Sequence, residues 1–144
     1  MTGYTYKLAE NEKELKDAFE VRRRVFTEEQ GIPQDRVFDS CEDEATHIIA
    51  KDGERVIGTA RVRFLPDRQA KLERMAVLKP FRGKGVGEGI MSFLAEELKR
   101  RQIERVILHA QHDAIGFYQA CGYKAVGAPF QEVGIEHLEM ERKI

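Results

Sequence analysis

The spacing of apolar positions changes period along the chain. Residues Tyr4–Leu8 read as a short strand. From Asn11 onward the spacing is helical: Leu15, Ala18, Phe19, Val25 and Phe26 recur roughly every 3.6 positions. Asn11 has the chemistry of an N-cap, Glu14 follows three residues later as a capping-box partner, and the pattern ends near Gly31 with Pro33 beyond. Alternation then takes over. A strand is expected at 46–50, and Asp52-Gly53 is a tight-turn signal. The returning strand carries Val56, Gly58, Ala60, Val62 and Phe64 on one face and Arg55, Thr59, Arg61 and Arg63 on the other. Pro66-Asp67 turns the chain again, and a third strand runs over about 70–78 to Pro80. This half is an antiparallel meander.

The period then returns to helical. Val86, Ile90, Phe93, Leu94 and Leu98 form one stripe, opposite Glu88, Glu96, Lys99 and Arg100. A short apolar strand follows at 106–108. Strand, helix and strand in this order make a βαβ unit, whose strands are parallel. A short helix at about 113–121, a strand at 123–126 and a last alternating strand around His137–Glu141 complete the chain. The fold class is α/β with a mixed sheet: an antiparallel N-terminal half and a central parallel pair.

Composition narrows the function classes. The chain has 144 residues, 42% hydrophobic and 34% charged, and no linker divides it, so residues 1–144 are read as one domain. A net charge of −1 supplies no basic field for nucleic acid. No apolar run reaches the length of about 18 residues that a membrane span needs. The start, Met1 to Asn11, lacks the apolar centre of a signal peptide, and the two cysteines, Cys41 and Cys121, are too few for a disulfide scaffold. A reduced, cytoplasmic protein without a membrane or nucleic-acid partner is expected. The four histidines and two cysteines lack paired zinc spacing, so no metal site is expected. Cys121, next to Gly122, reads as structural. Arg22-Arg23-Arg24 reads as a solvated or ion-paired helix face.

The most informative segment is Arg82-Gly83-Lys84-Gly85-Val86-Gly87-Glu88-Gly89, between the third strand and the long helix. A glycine inside a helix costs about 1 kcal/mol relative to alanine. Gly87 and Gly89 fall inside the stripe, and close approach of an anion to the backbone would offset that cost. The first N–H groups of a helix are unsatisfied and the helix dipole is positive there. With Arg82 and Lys84 beside them, they form a phosphate or pyrophosphate cradle. Neither the Walker pattern nor the dinucleotide fingerprint fits the glycine register.

These residues resemble a known family. Arg82-Gly83-Lys84-Gly85-Val86-Gly87 is similar to the Arg/Gln-x-x-Gly-x-Gly/Ala signature of the GNAT superfamily of acyl-CoA-dependent N-acetyltransferases. Ala114-x-x-Phe117-Tyr118-x-x-x-Gly122-Tyr123 resembles that family's second motif, in the expected order. Arg22–Gly31 resembles the branch typified by YjcF and ElaA. Two positions depart from the pattern: Gln111 stands where the family usually has Asn, and Tyr123 where it has Phe. The resemblance implies a GNAT-like mixed sheet with helices on both faces. It also implies an acetyl-CoA-dependent N-acetyltransferase working on an amine-bearing small molecule or peptide by direct attack in a ternary complex. An acyl-CoA-binding module or sensor without turnover is the alternative.

Such chemistry needs a neutral amine, a stabilised carbonyl oxygen and a proton for the leaving thiolate. At an amine pKa near 10.4 only about one molecule in a thousand is neutral at pH 7, so a base is valuable. By resemblance, Tyr118 is the acid, and Met75, Ala76 and Val77 line the acyl-pantetheine groove and hold the oxyanion through a backbone N–H. Arg82, Gly83, Lys84, Gly85, Val86, Gly87, Gln111, Ala114 and Phe117 bind acetyl-CoA. Glu73, two positions before Met75 on the same strand face, is the expected base, with Glu28, Glu29, His109 and a water-mediated path as competitors. Phe26, Glu29 and Gln30 border the acceptor pocket.

Overall fold

In the computed structural model, which describes residues 3–144, Asn11 caps the first helix as its chemistry demands. Its Oδ1 accepts from the Glu14 N–H at 2.9 Å, and α1 (Glu12–Arg22) follows. The capping box is displaced by one residue: the Glu14 carboxylate takes the Glu10 N–H at 2.9 Å and the Lys7 ammonium at 2.8 Å. The helical run does not reach Gly31 as one α-helix. Arg23–Glu29 is a π-helical stretch, and its wider turn directs the neighbouring buried residues Val25 and Phe26 inward. A one-turn helix, α2 (Gln34–Val37), begins after Pro33.

The strands are β1 (Tyr4–Leu8), β2 (Thr46–Asp52), β3 (Arg55–Leu65), β4 (Gln69–Val77), β5 (Arg105–Gln111), β6 (Lys124–Glu132) and β7 (Ile135–Lys143). They form one sheet in the order β1-β2-β3-β4-β5-β7-β6. The β4–β5 pair is parallel and the neighbouring pairs on either side are antiparallel. The long helix α3 (Val86–Arg100) crosses between β4 and β5, and α4 (Ile115–Ala120) follows β5.

Helices cover both faces. A Cβ at Gly58 would stand 3.2 Å from the Val86 and Ile90 side chains, so that face of β3 packs on α3. Arg61, an odd number of positions away, points to the opposite face and meets the segment that α1 holds in place. The core lies between α3 and the sheet: Ile90, Leu94, Leu98, Val62, Leu72 and Leu108 are all at most 2% exposed. Each such side chain contributes roughly 1.5–3 kcal/mol by leaving water.

On the arginine-bearing face of β3, Thr59 and Arg61 are fully buried. Phe64, on the apolar face, is exposed and lies under the Arg101 guanidinium at 4.8 Å. The last two strands form a longer hairpin than their alternation suggests. Val133 and Gly134 turn it with positive φ of 48° and 75°, as a two-residue hairpin turn requires. A register shift between Val126 and Phe130, around Gly127 and Pro129, interrupts the β6 pattern.

Candidate active site

The parallel pairing ends at Leu72 and Leu108. Past that point β4 bulges. Glu73 still faces Arg61 and Ala76 faces Thr59, so Arg74 and Met75 both stand opposite Ala60. Arg74 is in the left-handed region with φ 55°, a strain of roughly 1–3 kcal/mol for a non-glycine residue. Its Nε donates to the Val37 carbonyl at 3.0 Å and its Nη2 reaches Asp39 at 3.3 Å, which holds the bulge in place.

A cavity of about 590 Å³ opens where β4 and β5 part. Its floor is Met75, Ala76 and Val77 on β4, and its far wall is Gln111, Ala114 and Tyr118. Val25, Phe26 and Gln30 close it from the π-helical side, and His109, Glu132 and His137 from the β5–β7 side. The structure therefore gathers residues of the expected cofactor groove and of the expected acceptor pocket around one space.

The glycine-rich turn stands beside this cavity, which Arg82 also lines. Gly83 and Gly85 have φ of 75° and 83° and nothing within 4 Å of where a Cβ would sit, so their backbone is open to a ligand. No side chain caps α3, in contrast to α1, and the N–H groups of its first turn are left for an anion. Val86 belongs to the core and packs on Gly58. Gly87 and Gly89 also make close side-chain contacts. A Cβ at Gly87 would press on the Phe117 ring at 3.1 Å, and one at Gly89 would overlap the Tyr6 ring. Both glycines serve packing of α3 against neighbouring aromatic rings.

Arg82 and Gln111 are engaged with the π-helical end rather than free. The Arg82 guanidinium donates to both carboxylate oxygens of Glu29 at 2.8 and 2.9 Å and to the Val77 carbonyl at 2.9 Å. The Gln111 amide donates to Gln30 Oε1 at 2.9 Å. Glu29, expected in the acceptor pocket, thus turns to Arg82, and among the lining residues only Phe26 and Gln30 of that trio face the cavity. Lys84 lies 6.0 Å over the Phe81 ring.

Glu73 lines the cavity, but its carboxylate is committed. Arg63 donates to it at 2.7 and 3.1 Å, Arg61 at 2.8 and 3.2 Å, and Lys71 stands at 3.4 Å. Burial alone would raise its pKa; the two guanidinium groups and the ammonium outweigh that and hold it at about 2. A carboxylate so stabilised as the anion is a poor proton acceptor, which argues against the base role expected of it. Tyr118 is buried on α4, and burial, with Tyr123 and Cys121 nearby, pushes its pKa up, so the phenol carries its proton at neutral pH.

Glu73 is one member of a larger ion network. Arg22 is fully buried, pairs through both Nη atoms with Glu42 at 2.8 and 2.6 Å, and lies over the Phe38 ring at 4.6 Å. Arg61 also binds Asp39 at 2.7 and 3.1 Å. Arg23 and Arg24 pair with Glu20, and Arg23 with Glu28. The arginine run is ion-paired as expected, although Arg22 is not solvated. Both cysteines are free and half-buried, and among the described residues no group of His, Cys, Asp and Glu is arranged to hold a metal. Among the described residues no helix is long and apolar enough to cross a membrane.

Sequence reasoning missed the Arg74 bulge, the Arg61-centred network and the pairing of Glu132 with two histidines. The last left a trace: His137, Glu139 and Glu141 alternate onto one face of β7, a polar stripe on a strand central enough to be covered.

Residues 10–144 match the model of the acetyltransferase (GNAT) domain. The uncharacterized N-acetyltransferase YjcF of Bacillus subtilis is 42% identical over 134 residues, covering 92% of this chain and 95% of that protein. The crystal structure of Escherichia coli ElaA superposes with a TM-score of 0.85 at 25% identity over 99% of each chain. A Bacillus subtilis acetyltransferase crystallised in complex with CoA shares the fold, with a TM-score of 0.73 at 13% identity over 98% of this chain and 99% of that one.

Proposed function

Because the chain belongs to the GNAT acetyltransferase family, we propose that it transfers an acetyl group from acetyl-CoA to an amine of a small molecule or peptide in a ternary complex. The observation that carries this reading is the cavity between the parted strands β4 and β5, which brings Tyr118 together with Arg82 of the glycine-rich turn that leads into the uncapped α3. CoA binding by a protein of the same fold supports it. The acceptor enters from the side of Phe26 and Gln30.

The residues present fit the co-substrate. The open backbone of Gly83 and Gly85 and the free N–H groups of α3 suit a pyrophosphate, and Arg82 adds a cation once it leaves Glu29. Met75, Ala76 and Val77 offer an apolar floor for the pantetheine arm. When bound, acetyl-CoA supplies an acetyl group activated as a thioester. The β4 bulge leaves Arg74 and Met75 outside the regular pairing with β3, and a backbone N–H of this segment would hold the carbonyl oxygen as negative charge grows. Tyr118 holds a proton for the departing thiolate sulfur.

Calorimetric titration with acetyl-CoA, CoA and ATP tests the assignment. Saturable binding of both CoA species without competition from ATP is expected. Absence of binding at millimolar acetyl-CoA would remove it.

A further inference from the structure

Among the carboxylates lining the cavity, Glu132 has partners that differ from those of Glu73. Glu132, at the end of β6, places Oε1 3.1 Å from His109 Nδ1 on β5 and Oε2 3.9 Å from His137 Nε2 on β7. The Phe130 ring fills the space between the imidazoles, edge-on to His109 at 5.0 Å and stacked on His137 at 6.0 Å. His137 is 4% exposed, and its Nδ1 faces the Ile135 carbonyl at 2.8 Å; a carbonyl only accepts, so that nitrogen carries hydrogen.

The same logic fixes His109. A carboxylate accepts, so Nδ1–H donates to Glu132 and the neutral ring keeps its lone pair on Nε2. A Glu139 oxygen lies 3.6 Å from Nε2, beyond hydrogen-bond range and placed to attract a cation. An imidazole oriented by a carboxylate through one nitrogen, with no hydrogen bond at the other, is the arrangement of a general base.

Resting on the acetyltransferase reading, we propose that His109 is the catalytic base of this site, that Glu132 is its positioning residue, and that the acceptor is a primary amine arriving protonated beside Glu139. His109 Nε2 takes a proton from the amine nitrogen: that N–H bond breaks and an Nε2–H bond forms, while Glu132 balances the imidazolium. Tyr118 gives its proton to the sulfur as the C–S bond breaks. His109 passes the amine's first proton to solvent, and the neutral amine nitrogen bonds to the carbonyl carbon. The second proton that the nitrogen must then lose passes through His109 and water to the Tyr118 phenolate, so that ammonium and thioester become amide, thiol and one released proton. Glu73 takes no part, because Arg61, Arg63 and Lys71 hold it as the anion.

The test uses acetyl-CoA with two probe acceptors, n-butylamine, which is protonated at pH 7, and hydroxylamine, which is already neutral there. His109→Asn should leave acetyl-CoA affinity unchanged, lower kcat with n-butylamine by about 10²-fold or more, and cost no more than about tenfold with hydroxylamine. The rise of kcat/KM with pH should disappear in His109→Asn; the charged or titratable groups facing this ring are Glu132 of β6, Glu139 and His137 of β7, and Lys71 and Glu73 across the cavity. Glu132→Leu should lower kcat without changing KM for acetyl-CoA, and Glu132→Gln, whose amide oxygen still accepts, should restore part of it. Nitrogen NMR of the wild-type protein should find the Nδ1–H tautomer at His109, a readout that survives any folding defect in the variants. Equal losses with both amines, an unchanged pH profile, or an Nε2–H tautomer would each overturn the proposal. So would a wild-type protein that binds acetyl-CoA yet releases no CoA with either amine. Failure of the wild-type protein to bind acetyl-CoA would instead remove the acetyltransferase reading itself.

Discussion

Arg82 and Glu29 form a two-pronged ion pair that ties the start of the glycine-rich turn to the end of the π-helical stretch. In the proposed reading Arg82 is a cation for the pyrophosphate, and Glu29 is the group that occupies it. Anion binding therefore competes with this pair. Both side chains are more than a third exposed, and an exposed pair of this kind is worth about 1 kcal/mol at most. Glu29→Gln is expected to tighten acetyl-CoA binding by up to about fivefold, and Arg82→Gln to weaken it. Calorimetry checks both. Weaker binding in Glu29→Gln would mean that the carboxylate orders the turn rather than blocking it.

Tyr118 is buried among Phe117, Tyr123 and Cys121, with ring centroids 5.1 and 6.1 Å from those of Phe117 and Tyr123. Its ring packs, its hydroxyl is the proton donor of the proposed mechanism, and the two are separable. Tyr118→Phe keeps the ring. Turnover should fall by roughly 10²-fold, while acetyl-CoA affinity stays within about threefold and the melting temperature holds. A steady-state assay of thiol release beside a binding titration decides it. Unchanged turnover would exclude Tyr118 as the proton donor.

The strands and helices with one clean period were legible in the sequence: β1 at its observed ends, α1 with its Asn11 cap, and the α3 stripe. The π-helical stretch was not, since Val25 and Phe26 extend a 3.6-residue pattern and nothing in residue type announces a wider turn. The bulge at Arg74 was hidden because arginine is an improbable residue for a left-handed backbone; contacts from Val37 and Asp39, 37 and 35 residues away, hold it there. The cavity wall of Met75, Ala76, Val77, Gln111, Ala114 and Tyr118 was found through motif resemblance, which reports backbone geometry that periodicity cannot. Glu73 shows the converse: its position is readable from strand alternation, but its proton affinity depends on which arginines reach it across β3.

The glycines of α3 and α4 predict opposite responses to the same substitution. Gly89 lies against the Tyr6 ring, so Gly89→Ala must push that ring aside, displace β1 or tilt α3, and a loss of about 1–3 kcal/mol is expected. Gly116 has open space where its Cβ would be and an ordinary helical φ. Gly116→Ala should gain up to about 1 kcal/mol from propensity and a less flexible unfolded chain. Denaturant titrations of the two variants measure both. A stable Gly89→Ala protein would show that β1 yields easily at Tyr6.

Acid should unfold this protein through its ion network. Arg61 holds Asp39 at a pKa of about 2 against the opposing effect of burial; Glu73, whose burial is outweighed by its arginines, also sits at about 2. A carboxylate with a lowered folded-state pKa stabilises the fold fully above its unfolded value near 4.5, and that contribution is lost as pH falls toward 2. For buried Glu73 the loss is roughly 3 kcal/mol. His47 adds an earlier loss. Burial lowers its pKa, so the unfolded chain takes up its proton first as pH drops below the ordinary histidine range. Unfolding free energies from urea titrations at pH 7, 5, 4 and 3 should therefore fall, most steeply below pH 4.5. Glu73→Gln should be less stable at pH 7, because Arg61 and Arg63 lose their shared counter-charge, and its curve should be flatter between pH 4.5 and 3. Parallel curves for the two proteins would mean that Glu73 carries no net stabilisation and that the acid transition belongs to Asp39 and the other carboxylates.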